Sequence, residues 1–238
     1  MLYFLALLSG QAGTLRIFKY LTFRAGGAVI TALFVAFVMG PPLIRWLKVR
    51  QGKGQPIRAE GPQRHVVEKQ GTPTMGGLLI LIPTVVATLL WADLSNEYVW
   101  IVLFVTFAYG LLGFLDDYYK VTKRSSDGLS GRLRLGIEFS VGFIATYAAM
   151  QLEGPGLAGT LAVPFLKTVL IPFGYFFIIV GGCVIAGAAN AVNFTDGLDG
   201  LAIVPVMIAA ACFALIADRK STRLNSSHAL LSRMPSSA

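Results

Sequence analysis

An all-α, polytopic bundle of transmembrane helices is the fold this sequence predicts, and three observations predict it. Hydrophobic residues make up 55% of the 238 residues and charged ones only 13%, with a mean hydropathy of +0.68, which lies outside the range of soluble globular chains. Apolar runs long enough to approach the thickness of a bilayer recur along the chain. The basic residues fall mostly in short connections between those runs, where they meet lipid headgroups, so a net charge of +8 does not point to nucleic acid. No soluble domain of any size is expected.

The opening Met1 to Leu8 is too short to span and has no basic leader, so it reads as an interfacial segment and not a signal peptide. After Arg16, Lys19 and Arg24, a first span is expected over 25–47, bent near Gly40-Pro41-Pro42, where backbone hydrogen bonds are lost. A polar loop from Lys48 to Gln70 leads to a second span over 75–91. Asp93 to Glu97 turns the chain into a third, 98–115, which ends in the adjacent acids Asp116 and Asp117. A basic loop, Lys120 to Arg134, precedes a fourth span over 136–152 that carries Glu138 near its start. Gly154-Pro-Gly breaks the chain, and the interval to Leu170 is too irregular to cross a membrane. The fifth and sixth spans are expected over 171–189 and 201–217, and no internal repeat is evident. Cys183 and Cys212 lie inside apolar runs, which favours buried thiols over a disulfide.

Orientation follows from the distribution of Lys and Arg. The connection between the first two spans carries seven of them, from Arg45 to Lys69, and that between the third and fourth adds Lys120, Lys123, Arg124, Arg132 and Arg134. Opposite them stand Lys167 and the amino-terminal Arg16, Lys19 and Arg24. The basic loops, the aspartate pair and the connection between the fifth and sixth spans are therefore expected on the cytoplasmic face.

Three polar stretches converge there. About 18 apolar residues bring Asp116 and Asp117 to the membrane rim. Two acids at a helix C-terminus are unfavourable by a few tenths of a kcal/mol or more unless a cation answers them, although two solvated acids closing a span are the plain alternative. Asn190-Ala-Val-Asn-Phe-Thr-Asp-Gly-Leu-Asp-Gly200 sets Asn190, Asn193, Asp196 and Asp199 between two apolar helices. Capping of the sixth helix explains Asp196 and Asp199 but not the two asparagines, which need buried partners or a ligand. Lys69-Gln-Gly-Thr-Pro-Thr-Met-Gly-Gly77 combines a cation, two hydroxyls and open backbone, which suits phosphate oxygens as well as an ordinary turn. His65 reads as a solvated loop histidine. Acids that hold Mg²⁺ beside cations that hold phosphate make a site for a water-soluble phosphate and a lipid.

Tyr20-Leu-Thr-Phe-Arg24, Gly71-Thr-Pro-Thr-Met-Gly-Gly77, Gly113-Phe-Leu-Asp-Asp-Tyr118 and Asn190 to Ala202, taken in this order, resemble the phospho-N-acetylmuramoyl-pentapeptide transferases. These belong among the enzymes that load sugar phosphates onto polyprenyl carriers. The resemblance implies transfer of phospho-N-acetylmuramoyl-pentapeptide from UDP-MurNAc-pentapeptide to undecaprenyl phosphate, giving lipid I and UMP, with Mg²⁺ and as a homodimer in the bilayer. It also implies that Asp116 and Asp117 are the catalytic pair and metal ligands. Lys69, Thr74, Asn190, Asn193, Asp196 and Asp199 would line the substrate cleft. Lys120, Arg124 and Arg132 would stand near phosphate, the last two replacing the family's more usual lysine with a different donor geometry.

The family continues through about ten spans, with a further metal-holding aspartate and a histidine-rich motif beyond the six spans expected here. After Asp218 this chain turns into a Ser-rich segment, 219–238, with no apolar span. That tail reads as vector or adapter sequence, and 1–218 as an amino-terminal part of the transferase domain that is expected to be inactive alone. Two other readings remain: transfer of another sugar phosphate such as N-acetylglucosamine phosphate, and a transporter or flippase. The second would need carboxylates near mid-span and repeat symmetry, and the sequence has neither.

Overall fold

A computed structural model describes residues 2, 4, 17–18, 20–51, 73–123, 128–154, 156–162, 169–195 and 201–216. Among them are six apolar helices: α1 (Leu21–Gln51), α2 (Leu78–Trp91), α3 (Glu97–Lys123), α4 (Gly131–Leu152), α5 (Phe176–Thr195) and α6 (Ile203–Ile216). The chain is a multi-pass membrane protein built as a helical bundle. Four of the helices, α1, α3, α4 and α5, are long and apolar enough to cross a membrane. At 14 residues, α2 reaches only about 21 Å and falls short of the hydrocarbon thickness.

Each of the first five helices packs on its neighbours in sequence, so they form a row running up and down, with α4 the most enclosed. Large apolar side chains such as Val29, Phe34, Phe37, Ile80, Phe107 and Val184 face outward. That reversal of the soluble pattern is expected where the solvent is hydrocarbon and helix contacts come from close packing. Trp91 of α2 sits over Gly27 of α1, where an added Cβ would come within 2.7 Å of the indole, and its Nε1 donates to Thr31 Oγ1 at 2.9 Å. Leu81 of α2 fills the notch at Gly110 of α3. Between α4 and α5 the backbones themselves touch: a Cβ on Gly142 would lie 3.0 Å from the carbonyl oxygen of Gly182.

Several expected boundaries move. Helix α3 does not end at Asp116 and Asp117 but runs on to Lys123, with Lys120 and Lys123 in its last turn, where cations suit the negative helix end. Hydropathy drops at the acids, but the backbone ladder continues because Asp116 finds an i,i+4 partner in Lys120. Helix α4 begins at Gly131, so Arg132 and Arg134 are helical and not part of a loop. Helix α2 begins at Leu78, leaving 73–77 as a turn.

The fifth helix begins at Phe176 and reaches Thr195, which puts Asn190 and Asn193 on its last turns. The stretch before it closes a small antiparallel hairpin, β1 (Thr160–Ala162) against β2 (Leu170–Pro172), at the end of the bundle away from the acids. Helix α1 runs without a break through Pro41 and Pro42. The tail 219–238 and the Met1 to Leu8 reading, apart from residues 2 and 4, lie outside the described residues.

Gly142→Leu should force α4 and α5 apart and destabilise the bundle by about 1–3 kcal/mol. Gly136→Ala, with open space at its Cβ, should be neutral or stabilising by up to about 1 kcal/mol. Thermal unfolding of both variants in detergent checks the contrast, and equal stability would contradict the packing described.

Candidate active site at one end of the bundle

The C-terminal ends of α1, α3 and α5 and the N-terminal ends of α2 and α4 lie together at one end of the row. The site is built there. Asp117, on the inner side of α3, accepts two hydrogen bonds on Oδ2, from the Thr74 hydroxyl at 2.6 Å and from the Met75 N–H at 3.1 Å. Its Oδ1 lies 3.9 Å from Lys120 Nζ. Asp116 is held on both oxygens: Oδ1 accepts the Leu129 N–H at 2.7 Å, and Oδ2 pairs with Lys120 Nζ at 2.6 Å.

The segment that reaches Asp117 is fixed from behind. Gln51, the last residue of α1, accepts the Thr74 N–H on Oε1 at 2.8 Å and donates through Nε2 to the Thr74 carbonyl at 3.2 Å. This paired contact treats Thr74 as one strand treats another. Met75 follows at φ 70°, a left-handed conformation that costs a residue with a side chain about 1–3 kcal/mol. The geometry persists because the Met75 side chain is buried and its N–H is engaged by the carboxylate. At Gly128, a Cβ would lie 2.7 Å from Asp116 Cγ and 2.9 Å from Lys120 Cε, so only glycine lets the chain pass over this ion pair.

A cleft of about 330 Å³ opens on these groups, lined by Asp116, Asp117, Lys120, Arg134 and Asn193 on its polar side and by Leu78, Leu81 and Phe114 among its apolar residues. Beside it lies a second cavity of about 470 Å³ between α4 and α5, bordered by Leu135, Phe139, Cys183 and Phe194, which shares Arg134 and Asn193 with the first. Asn190 lines this second cavity and bonds to Glu138 and to the Ala186 carbonyl, the latter at 2.8 Å. Cys183 and Cys212 are both exposed, and not buried as the apolar runs suggested; Cys183 opens onto this second cavity.

Of the residues singled out from sequence, Thr74, Asp116, Asp117, Lys120 and Asn193 come together here, with Asn190 one turn away. Arg132 is exposed and does not line the cleft; Arg134, two residues on, is the second cation there among the described residues. Lys69, Arg124, Asp196 and Asp199 lie outside the described residues. Sequence reasoning passed over Gln51, Arg134 and Glu138. The Arg134 and Glu138 spacing of four on a helix was a legible signal, whereas nothing local marks Gln51.

Residues 99–234 match glycosyl transferase family 4, and residues 69–81 match the phospho-N-acetylmuramoyl-pentapeptide-transferase signature 1. Among similar curated proteins, the phospho-N-acetylmuramoyl-pentapeptide-transferase of Maricaulis maris is 59% identical over 206 residues, covering 84% of this chain and 56% of the relative. The protein of the same name from Rhodopseudomonas palustris is 56% identical over 216 residues, covering 91% of this chain and 60% of the relative. The chain thus spans little more than half the length of these relatives.

Gln51→Leu removes both bonds to Thr74 while keeping most of the side-chain volume. Exchange of the Thr74 amide should then accelerate about tenfold or more, with the mid-helix amides of α4 unchanged. Hydrogen exchange by mass spectrometry reads this, and an unaltered 73–77 segment would show that Gln51 does not hold it.

Proposed function

This chain belongs to glycosyl transferase family 4, and from that premise we propose that its cleft transfers phospho-N-acetylmuramoyl-pentapeptide from UDP-MurNAc-pentapeptide to undecaprenyl phosphate, releasing UMP. One observation carries the reading. Thr74 and Met75, both inside the matched signature segment, are the residues that hold the Asp117 carboxylate. The part of the chain most specific to these transferases is thus bonded to the acid that would do the chemistry.

In the proposed step, an oxygen of the lipid phosphate attacks the sugar-linked phosphorus of the UDP conjugate. A new P–O bond forms, the bond from that phosphorus to the bridging oxygen breaks, and UMP carries the oxygen away. Both reactants are anions, so the site must supply positive charge where they meet. Lys120 and Arg134 stand on the cleft wall to do so. Leu78, Leu81 and Phe114 limit the water that would compete with the lipid phosphate as nucleophile.

The two acids divide the work. Asp116, bonded on both oxygens, sets the position of Lys120. Among the described residues Asp117 Oδ1 meets only the 3.9 Å approach of Lys120, and so receives the proton of the lipid phosphate or helps hold a metal. The donor set fits Mg²⁺, which is commonly held by one or two carboxylates together with substrate phosphates; Asp117 Oδ1, with Asp116 beside it, would hold the ion. The chemistry a bound magnesium ion supplies is neutralisation of the diphosphate oxygens.

The same reading puts the protein in the bacterial plasma membrane as a homodimer. Its cleft faces the cytoplasm, where the nucleotide is, and the basic residues Lys48, Arg50, Lys120, Lys123, Arg132 and Arg134 mark that end of the bundle.

In the full-length parent of this chain, UMP release from UDP-MurNAc-pentapeptide, measured with undecaprenyl phosphate in membranes, should fall by about 100-fold or more in Asp117→Asn, and by less in Asp116→Asn. Normal lipid I formation by both variants would refute the assignment. Faster turnover of UDP-N-acetylglucosamine would move the protein to another sugar phosphate, and a product that needed a membrane gradient would favour transport.

A further inference from the structure

Glu138 is 1% exposed, the largest fully buried side chain among the described residues, and it sits on α4, a membrane-spanning helix. Burying a carboxylate costs several kcal/mol unless partners offset it. Here the offset is divided. Oε1 accepts Arg134 Nε at 2.9 Å, Oε2 accepts Asn190 Nδ2, and the Glu138 backbone carbonyl accepts the Tyr109 hydroxyl at 3.0 Å. One residue thereby ties α3, α4 and α5 together just inside the cleft. Adhesion alone does not call for it, because α4 and α5 already meet backbone to backbone at Gly142 and Gly182.

What the carboxylate fixes is more telling. Arg134 borders both the acid-lined cleft and the cavity between α4 and α5, and Asn190 borders the second. Contact through Nε does not use the terminal nitrogens of the guanidinium, which remain the donors best suited to a phosphate. An arginine side chain carries several rotatable bonds, and holding it in one orientation before a ligand arrives removes that ordering cost from binding.

We propose that Glu138 is a positioning residue: its two carboxylate oxygens hold Arg134 and Asn190 in register across α4 and α5, so that a nucleoside diphosphate entering the cleft meets a preoriented guanidinium. The nature of the ligand rests on the transfer reading above. A charge-balancing role for Glu138 makes the opposite prediction. Removing its negative charge would then raise the positive field in the cleft and tighten binding of an anion.

Equilibrium binding of UDP to the protein in detergent, with unfolding followed in parallel, separates these roles. Glu138→Asp keeps the charge but withdraws it by one methylene, and Glu138→Gln keeps the length but not the charge; each should weaken UDP binding about tenfold. Arg134→Lys, altered on the exposed flank of the pair, should do the same and covers the case in which a Glu138 variant fails to fold. In the Glu138→Asp, Arg134→Lys double variant the loss should be smaller than the product of the two single losses, since the two variants share the Arg134–Glu138 contact.

Wild-type affinity in Glu138→Asp, tighter binding in Glu138→Gln, or losses that multiply in the double variant would each overturn the proposal. UMP release is assayed separately. A full-length parent protein that binds UDP but releases no UMP sinks the transfer reading and leaves the positioning role standing. Turnover by a wild type whose Glu138→Asp variant binds UDP unchanged sinks the positioning role alone, and a wild type that does not bind UDP sinks both.

Discussion

The structure depends on how two adjacent carboxylates are answered at the edge of a membrane. In low dielectric an unpaired acid is too costly to keep, so each carboxylate has to find a donor or a cation. Asp116 takes a lysine from its own helix and a backbone N–H from the loop that follows. Asp117 takes a hydroxyl and an N–H from a segment more than 40 residues earlier. The different origin of their partners gives neighbouring residues different tasks. One anchors a cation locally, and the other ties a distant turn to the cleft.

Features that look unrelated serve that arrangement. Met75 holds a left-handed conformation because its N–H must reach Asp117, and Gln51 clamps Thr74 from the end of α1 so that the strained turn stays in place. Gly128 is small because the Asp116–Lys120 pair lies against it. Strain at a site survives only where its surroundings over-determine the geometry, and here α1, α3 and the turn before α2 all contribute. Glu138 does for Arg134 on the far side of the cleft what Gln51 does for Thr74 on the near side, holding it from behind.

The helical bundle was legible because hydropathy reports spans directly, and the site's end of the molecule was legible because polar groups stood where apolar runs stopped. Helix ends were not. Asp116 and Asp117 were read as a terminus, but a drop in hydropathy marks the membrane rim and not the end of the backbone ladder, and α3 continues for nearly two more turns. The same confusion put Arg134 and Asn193 in loops when both are helical, and so hid the i,i+4 pairing of Arg134 with Glu138. Gln51 was invisible for another reason: its partner is backbone 23 residues away, which no local pattern encodes.

The central claim is that the turn before α2 closes on the acid end of α3. In a background with Cys183 and Cys212 replaced by alanine, Thr74→Cys can be paired with Asp117→Cys or, about 30 Å away along α3, with Glu97→Cys. The shortest bifunctional thiol reagent should crosslink the first pair rapidly and leave the second untouched. Crosslinking of 74 to 97, or none of 74 to 117 when both thiols react singly, would contradict the arrangement on which the site is built.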